Sequence, residues 1–133
     1  MNGYAIVGAD TAPPVIDEYF ARLNAADWAG FDALWHEDVE LRPVGARPRT
    51  GRDDVVAFYP GIFRPWRTHV ELPTRLIVAG DAVTAEIHFR GVSHDNHEIE
   101  FDAVDVFDIV DGRIARLTTW YDIAWVRQQL QGT

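Results

Sequence analysis

Apolar positions recur at helical spacing in the first half of this chain and alternate in the second. Thr11-Ala-Pro-Pro14 predicts a helix start, with Thr11 as a cap and proline early. Val15, Ile16, Tyr19, Phe20 and Leu23 then form one helical stripe. Asn24-Ala-Ala-Asp27 breaks it. Asp27 is placed to cap a second short helix in which Trp28, Phe31, Leu34 and Trp35 share a face. Val39, Leu41 and Pro43 suggest a short strand that runs into the turn-rich segment Pro43–Gly51. Arg52–Phe63 is helical again, with Val55, Val56, Phe58, Tyr59 and Ile62 apolar. After Pro65 the period changes to two. Thr68–Ala79 predicts a strand ending at Gly80-Asp81, and Ala82–Val92 a second, with His94-Asp-Asn-His97 as its loop. Ile99–Val110 predicts a third, closed by Asp111-Gly112, a strong hairpin signal, and Ile114–Tyr121 a fourth. Asp122 is placed to cap a final helix through Leu130.

Helices first, then a meander, with no internal repeat, predict an α+β class. The expected architecture is a cone: three to four helices packed on a strongly curved antiparallel sheet, with a pocket between the layers. Residues 1–10 read as a flexible tail and residues 11–133 as a single domain. The length of 133 residues suits one domain with one core.

Composition narrows the function. Twelve basic residues, all arginine, stand against 21 acidic ones, for a net charge of −9. Such a chain is repelled by phosphate backbones and anionic lipid, so nucleic acid and membrane surfaces are not expected partners. With no cysteine there is no disulfide, thiolate metal site or cysteine nucleophile. Met1–Pro14 lacks the basic start of a signal peptide and no apolar run reaches membrane-spanning length, so a cytoplasmic location is expected. Aromatic residues at 12% fit either a large apolar pocket or a well-filled core.

Four stretches carry a resemblance. They are Tyr19–Asp27, Leu34–Gly45, Pro48-Arg-Thr-Gly51 with Phe58-Tyr59, and Val104–Ile114. In this order and spacing they resemble the nuclear-transport-factor-two-like superfamily, and within it the steroid delta-isomerases and the SnoaL-like polyketide cyclases. The isomerases move a proton beside a ketone, using a carboxylate base and two donors to the enolate oxygen: a tyrosine and an aspartic acid kept neutral by its surroundings. By motif, the tyrosine falls on Tyr19, the acid on Asp105, a supporting tyrosine on Tyr59 and an aromatic wall position on Trp35. The base position, just before Pro43-Val44-Gly45, is occupied by Arg42, which stays protonated at neutral pH. The resemblance thus implies that Arg42 faces the pocket, pairs with Asp105 and favours its ionised form. Asp105 would then serve as acid or base, as in the cyclases, with Arg42 orienting a carbonyl or acidic substrate; a buried ion pair without chemistry is the plainer alternative. Epoxide opening of the limonene-epoxide-hydrolase type would need an arginine and a second acid where Ala103 and Thr119 stand.

Strand parity extends the site. With Asp105 facing the pocket, Phe101 and Ala103 face it too, and by alignment so do Val70, Leu72, Ile87, Phe89, Leu117, Thr119 and Tyr121. His69 and His88 are then expected on the opposite face. His69, His88 and His97 match no metal-ligand spacing, so neither metal nor cofactor is expected. His94 and His97 read as solvated loop residues, His36 as part of a charge cluster with Glu37 and Asp38, and Asp122 as a helix cap. Trp120 and Trp125 fit core or a subunit contact. The expected protein is a homodimer acting on a small apolar carbonyl-bearing molecule by proton transfer, as an isomerase or cyclase. A non-catalytic binding module for a small hydrophobic, acidic ligand is the competing class.

Overall fold

The computed structural model describes residues 5–8 and 11–131. Helix α1 (Pro14–Asn24) buries the whole predicted stripe, Val15, Ile16, Tyr19, Phe20 and Leu23, with proline in its first turn. Its N-cap is Pro13, with no side-chain cap from Thr11. The predicted second helix shrinks to a single 3-10 turn, Phe31–Leu34. Trp35 opens strand β2 (Trp35–Arg42) instead of closing a helix face. Asp27 accepts from the Gly30 amide at 3.2 Å and from Arg22 at 2.9 Å, so it stabilises a turn and not a helix. Strand β3 (Arg49–Thr50) leads into helix α2 (Arg52–Ile62), which buries Val55 and Tyr59.

Four long strands follow: β4 (Trp66–Ala79), β5 (Ala82–Ser93), β6 (Glu98–Val110) and β7 (Arg113–Trp120). Asp111 and Gly112 both take positive φ, 53° and 75°, as the tight hairpin between β6 and β7 requires. Helix α3 (Ile123–Leu130) is capped by Asp122, whose Oδ1 accepts from the Trp125 amide at 3.0 Å.

The four long strands form the predicted antiparallel meander, but the sheet as a whole is mixed. Its order is β1-β4-β5-β6-β7-β2-β3, where β1 is Ala5–Val7. Strand β1 runs parallel to β4 and β2 runs parallel to β7. Alternation reveals which residues share a face, and it says nothing about the direction of an edge strand. Ala5–Val7 therefore corrects the reading of residues 1–10 as a tail; residues 1–4, 9 and 10 of that segment lie outside the described residues.

The core lies between the helices and one sheet face. Trp35, Phe31, Phe107, Ile16, Leu23, Leu41, Ile87, Ile114 and Leu117 are among its largest fully buried side chains. Burial of this kind is the main driving force holding the layers together. No helix among the described residues is long and apolar enough to cross a membrane.

Candidate active site

Where the core stops, the helices and sheet part to leave a pocket of about 560 Å3, within the range of small-molecule sites. Its wall is mostly apolar, and one side of it is aromatic. Trp66, Phe89, Phe101 and Tyr121 form a ladder across the strands, with successive ring centroids 4.8, 4.5 and 5.0 Å apart. Gly91 makes room for it: a Cβ there would lie 2.6 Å from the Trp66 ring and 2.7 Å from that of Phe89.

The polar groups lining the pocket include Tyr19 from α1, Tyr59 from α2, Glu71 from β4 and Asp105 from β6. The hydroxyls of Tyr19 and Tyr59 share a buried hydrogen bond of 3.0 Å. Burial raises the Tyr19 phenol well above its ordinary range, and the nearby Tyr59, Asp105 and Glu71 push the same way. Tyr59 is also raised by burial, opposed by its bond to Tyr19. Both remain hydroxyl donors at any physiological pH.

Asp105 is 5% exposed. Burial first, and the Glu71 charge second, push its carboxyl well above the usual range. Burial raises Glu71 to about 7. Two carboxyls in one apolar site cannot both ionise cheaply, so they titrate as a pair. Across the sheet, Asp105 faces Ala85 and Glu71 faces Phe89.

Glu71 is the residue that sequence reasoning missed, and the cause is local. Between the pairs Glu71↔Phe89 and Leu76↔Ala85 the register shifts, so five steps along β4 match four along β5. The extra residue is a bulge at Pro73–Arg75. Proline cannot donate to the ladder, and the Thr74 hydroxyl donates to the Glu86 carbonyl at 3.2 Å where the pattern is interrupted. Upstream of the bulge the parity is inverted: Glu71 points in, Leu72 is exposed, and Val70 lies outside the pocket on the sheet's other side. Asn24, the last residue of α1, holds the strand in that setting. Its Nδ2 donates to the Glu71 carbonyl at 2.8 Å, and its Oδ1 accepts from the Glu71 amide at 2.7 Å.

Of the expected site residues, Tyr19, Tyr59, Asp105, Phe89, Phe101, Thr119 and Tyr121 line the pocket together. Arg42 does not. It is exposed, and its Nε donates to Glu40 at 2.7 Å on the outer face, because Leu41 in β2 and Pro43 just after it take the inward positions. The expected Arg42–Asp105 pair is absent, and Glu71 is the charged neighbour acting on Asp105 instead. Trp35 and Ile87 face inward but are sealed in the core below the pocket, 0% and 2% exposed. His69 shares the parity of Glu71 and stacks on Phe63 at 4.3 Å, against the expectation of an outward histidine. His88 is outward, between Asp102 at 2.9 Å and Glu100 at 3.0 Å. Among the described residues, no three His, Asp or Glu side chains gather as a metal site.

The sequence comparison gives a family and the structure comparisons give its fold. The family model of the SnoaL-like domain matches residues 16–117. A protein with a ketosteroid-isomerase-like fold from Catenulispora acidiphila superposes with a TM-score of 0.81 at 16% identity, covering 91% of this chain and 95% of that one. A putative polyketide cyclase from Xanthomonas campestris gives 0.75 at 22% identity, covering 87% and 93%. An epoxide hydrolase from M. tuberculosis gives 0.74 at 18%, covering 90% and 88%. No curated protein matches the chain. At these identities the likeness is one of fold.

Proposed function

The chain belongs to the SnoaL-like domain family, and on that premise we propose that its pocket is the active site of a cofactor-free enzyme moving a proton beside a carbonyl group. The observation that carries this reading is the pair of a half-buried Glu71 and a buried Asp105 facing one mostly apolar cavity. A carboxyl poised near 7 is matched to general-base work at neutral pH. Once Glu71 is ionised, its charge keeps the proton on Asp105, which becomes a hydrogen-bond donor.

In the proposed step, the Glu71 carboxylate takes a proton from the carbon next to the substrate carbonyl. The C–H electrons form a C=C bond, and the carbonyl electrons move onto oxygen. Asp105, with the Tyr19–Tyr59 pair, donates to that oxygen as its charge develops, in a mostly apolar site. Glu71-H then returns the proton to another carbon, an isomerisation, or the enolate carbon attacks a second carbonyl of the same molecule, closing a ring, and Glu71-H gives its proton to the alkoxide so formed. Both outcomes use the same residues. The neighbouring polyketide cyclase and isomerase-like folds support either.

The test is incorporation of solvent deuterium beside the carbonyl of bound β,γ-unsaturated steroid ketones and aryl β-diketones, followed by NMR. Exchange that is lost in Glu71→Gln supports the reading. Tight binding with no exchange for any of these compounds overturns it and makes the pocket a binding module for a small hydrophobic ligand.

A further inference from the structure

We infer that the substrate is an anion: an aromatic carbonyl compound bearing a carboxylate, which is held at the pocket mouth by Arg49 and Arg127 while the carbonyl end reaches Glu71 and Asp105. This rests on the reading of those two carboxyls as the reacting end. The pocket has one acidic pole and one basic pole. Arg49 comes from β3 and Arg127 from α3, and both line the same cavity as the two acids.

Neither arginine is used up by the fold. Arg22, Arg42, Arg75, Arg90 and Arg116 each have a carboxylate within 4.0 Å. Among the described residues Arg49 and Arg127 have none, although the chain carries 21 acidic side chains. Their bonds go to neutral carbonyls: Arg49 donates to the Arg47 carbonyl at 2.8 Å, and Arg127 to that of Gly45 at a long 3.5 Å. Arg49 also lies over the Phe58 ring, 4.8 Å from its centroid, which fixes the guanidinium against the pocket wall. Gly45 takes φ +72°, and a Cβ there would press on Ile123 at 2.6 Å and on Arg127 at 3.3 Å, so a bare backbone is what lets Arg127 lean over the loop.

The arginines do not serve as counter-charges to the floor. The forces on Glu71 and Asp105 are burial and, for Asp105, the Glu71 charge, and both raise. Tyr121 sits between the poles: burial and the two acids raise its phenol while Arg127 lowers it. A neutral ketone leaves the mouth charges unpaired. A carboxylate satisfies them, is repelled by the floor, and so enters in one orientation, with its far end at the acids.

The probes are naphthoate and its neutral isostere naphthamide, measured by calorimetry at pH 6 and low salt. Naphthoate is expected to bind about tenfold tighter or better, with the gap narrowing as salt rises. The preference should shrink several-fold in Arg127→Met and in Arg49→Met, vanish in the double variant, and persist in part in Arg127→Lys, which keeps the charge. It should survive in Glu71→Gln, so that its fate is independent of turnover. Equal binding of the two probes, or a preference that persists in the folded double variant, overturns the inference. Deuterium exchange on neutral ketones without any preference for the anion would overturn it while leaving the proton-transfer reading intact.

Discussion

The two faces of the same strands hold carboxyls in opposite circumstances. Inside, Glu71 and Asp105 face an apolar cavity, and burial raises both. Outside, Glu40 accepts from Arg42 and Arg116, Glu100 and Asp102 flank His88, and the pairing lowers Glu40 and Glu100 while raising His88. The residue types are the same. What differs is one step along a strand, which decides whether a carboxyl meets water and a cation or neither. Outer pairs in water are worth little, whereas an inner acid without a partner keeps its proton and gains reactivity.

The largest expected break in this contrast is kinetic. Asp105→Asn and Glu71→Gln should each cut exchange turnover by about 10²- to 10⁴-fold, the usual worth of an acid or base. Asp102→Asn, on the outer face beside His88, should change turnover less than about twofold by the same assay.

The next is the pH dependence of stability, where the carboxyls of the two faces carry opposite signs. The Glu71 contribution is fully present below about 4.5 and is lost as pH rises through about 7, because the folded state must then hold a buried charge. For this group that amounts to about 3 kcal/mol at most. For Glu40 and Glu100 the contribution is present above 4.5 and lost as pH falls through their lowered values. Urea unfolding between pH 4.5 and 8 should show a descent in the parent that is shallower in Glu71→Gln, the remainder coming from Asp105 and His88, which are raised as well. An equally steep descent in that variant would remove Glu71 as its cause.

A smaller effect concerns the clamp. Asn24→Leu leaves the amide and carbonyl of Glu71 without their partners, and should cost about 1–3 kcal/mol in unfolding experiments. The same variant should lower exchange turnover without abolishing ligand binding, which a merely destabilised helix end would not do. Least of all, His88→Ala should shift stability by under about 1 kcal/mol, and the shift should fade in high salt.

Much of this was legible in the chain. The β6 alternation correctly grouped Phe101, Ala103 and Asp105, and the hairpin signals at Gly80-Asp81 and Asp111-Gly112 set the strand boundaries to within about two residues. Arg42 was legible too: Val39, Leu41 and Pro43 alternate inward, which turns residue 42 outward, and the motif alignment overrode that pattern. Trp35 has helical spacing from Phe31, but the 3-10 turn is too short to carry it. Glu71 is hidden from that alignment because Val70 and Leu72 are placed on the concave face with no allowance for the bulge at Pro73–Arg75. Pro73 was the available signal, since proline inside a strand marks an edge or a bulge. The arginines at the mouth come from β3 and α3, which no local pattern brings together.

That bulge at Pro73–Arg75 makes the pocket's chemistry a matter of backbone count. Upstream of it the strand is read in one phase, downstream in the other. Removing Thr74 would restore a single phase, swing Glu71 to the solvent face and present Val70 and Leu72 to the cavity, leaving Asp105 among greasy neighbours without replacing any side chain. A relative of this fold can therefore gain or lose the second carboxyl by a one-residue change in length. Comparing such chains column by column, with no gap at this strand, would set a reactive acid opposite a packing residue and hide the difference.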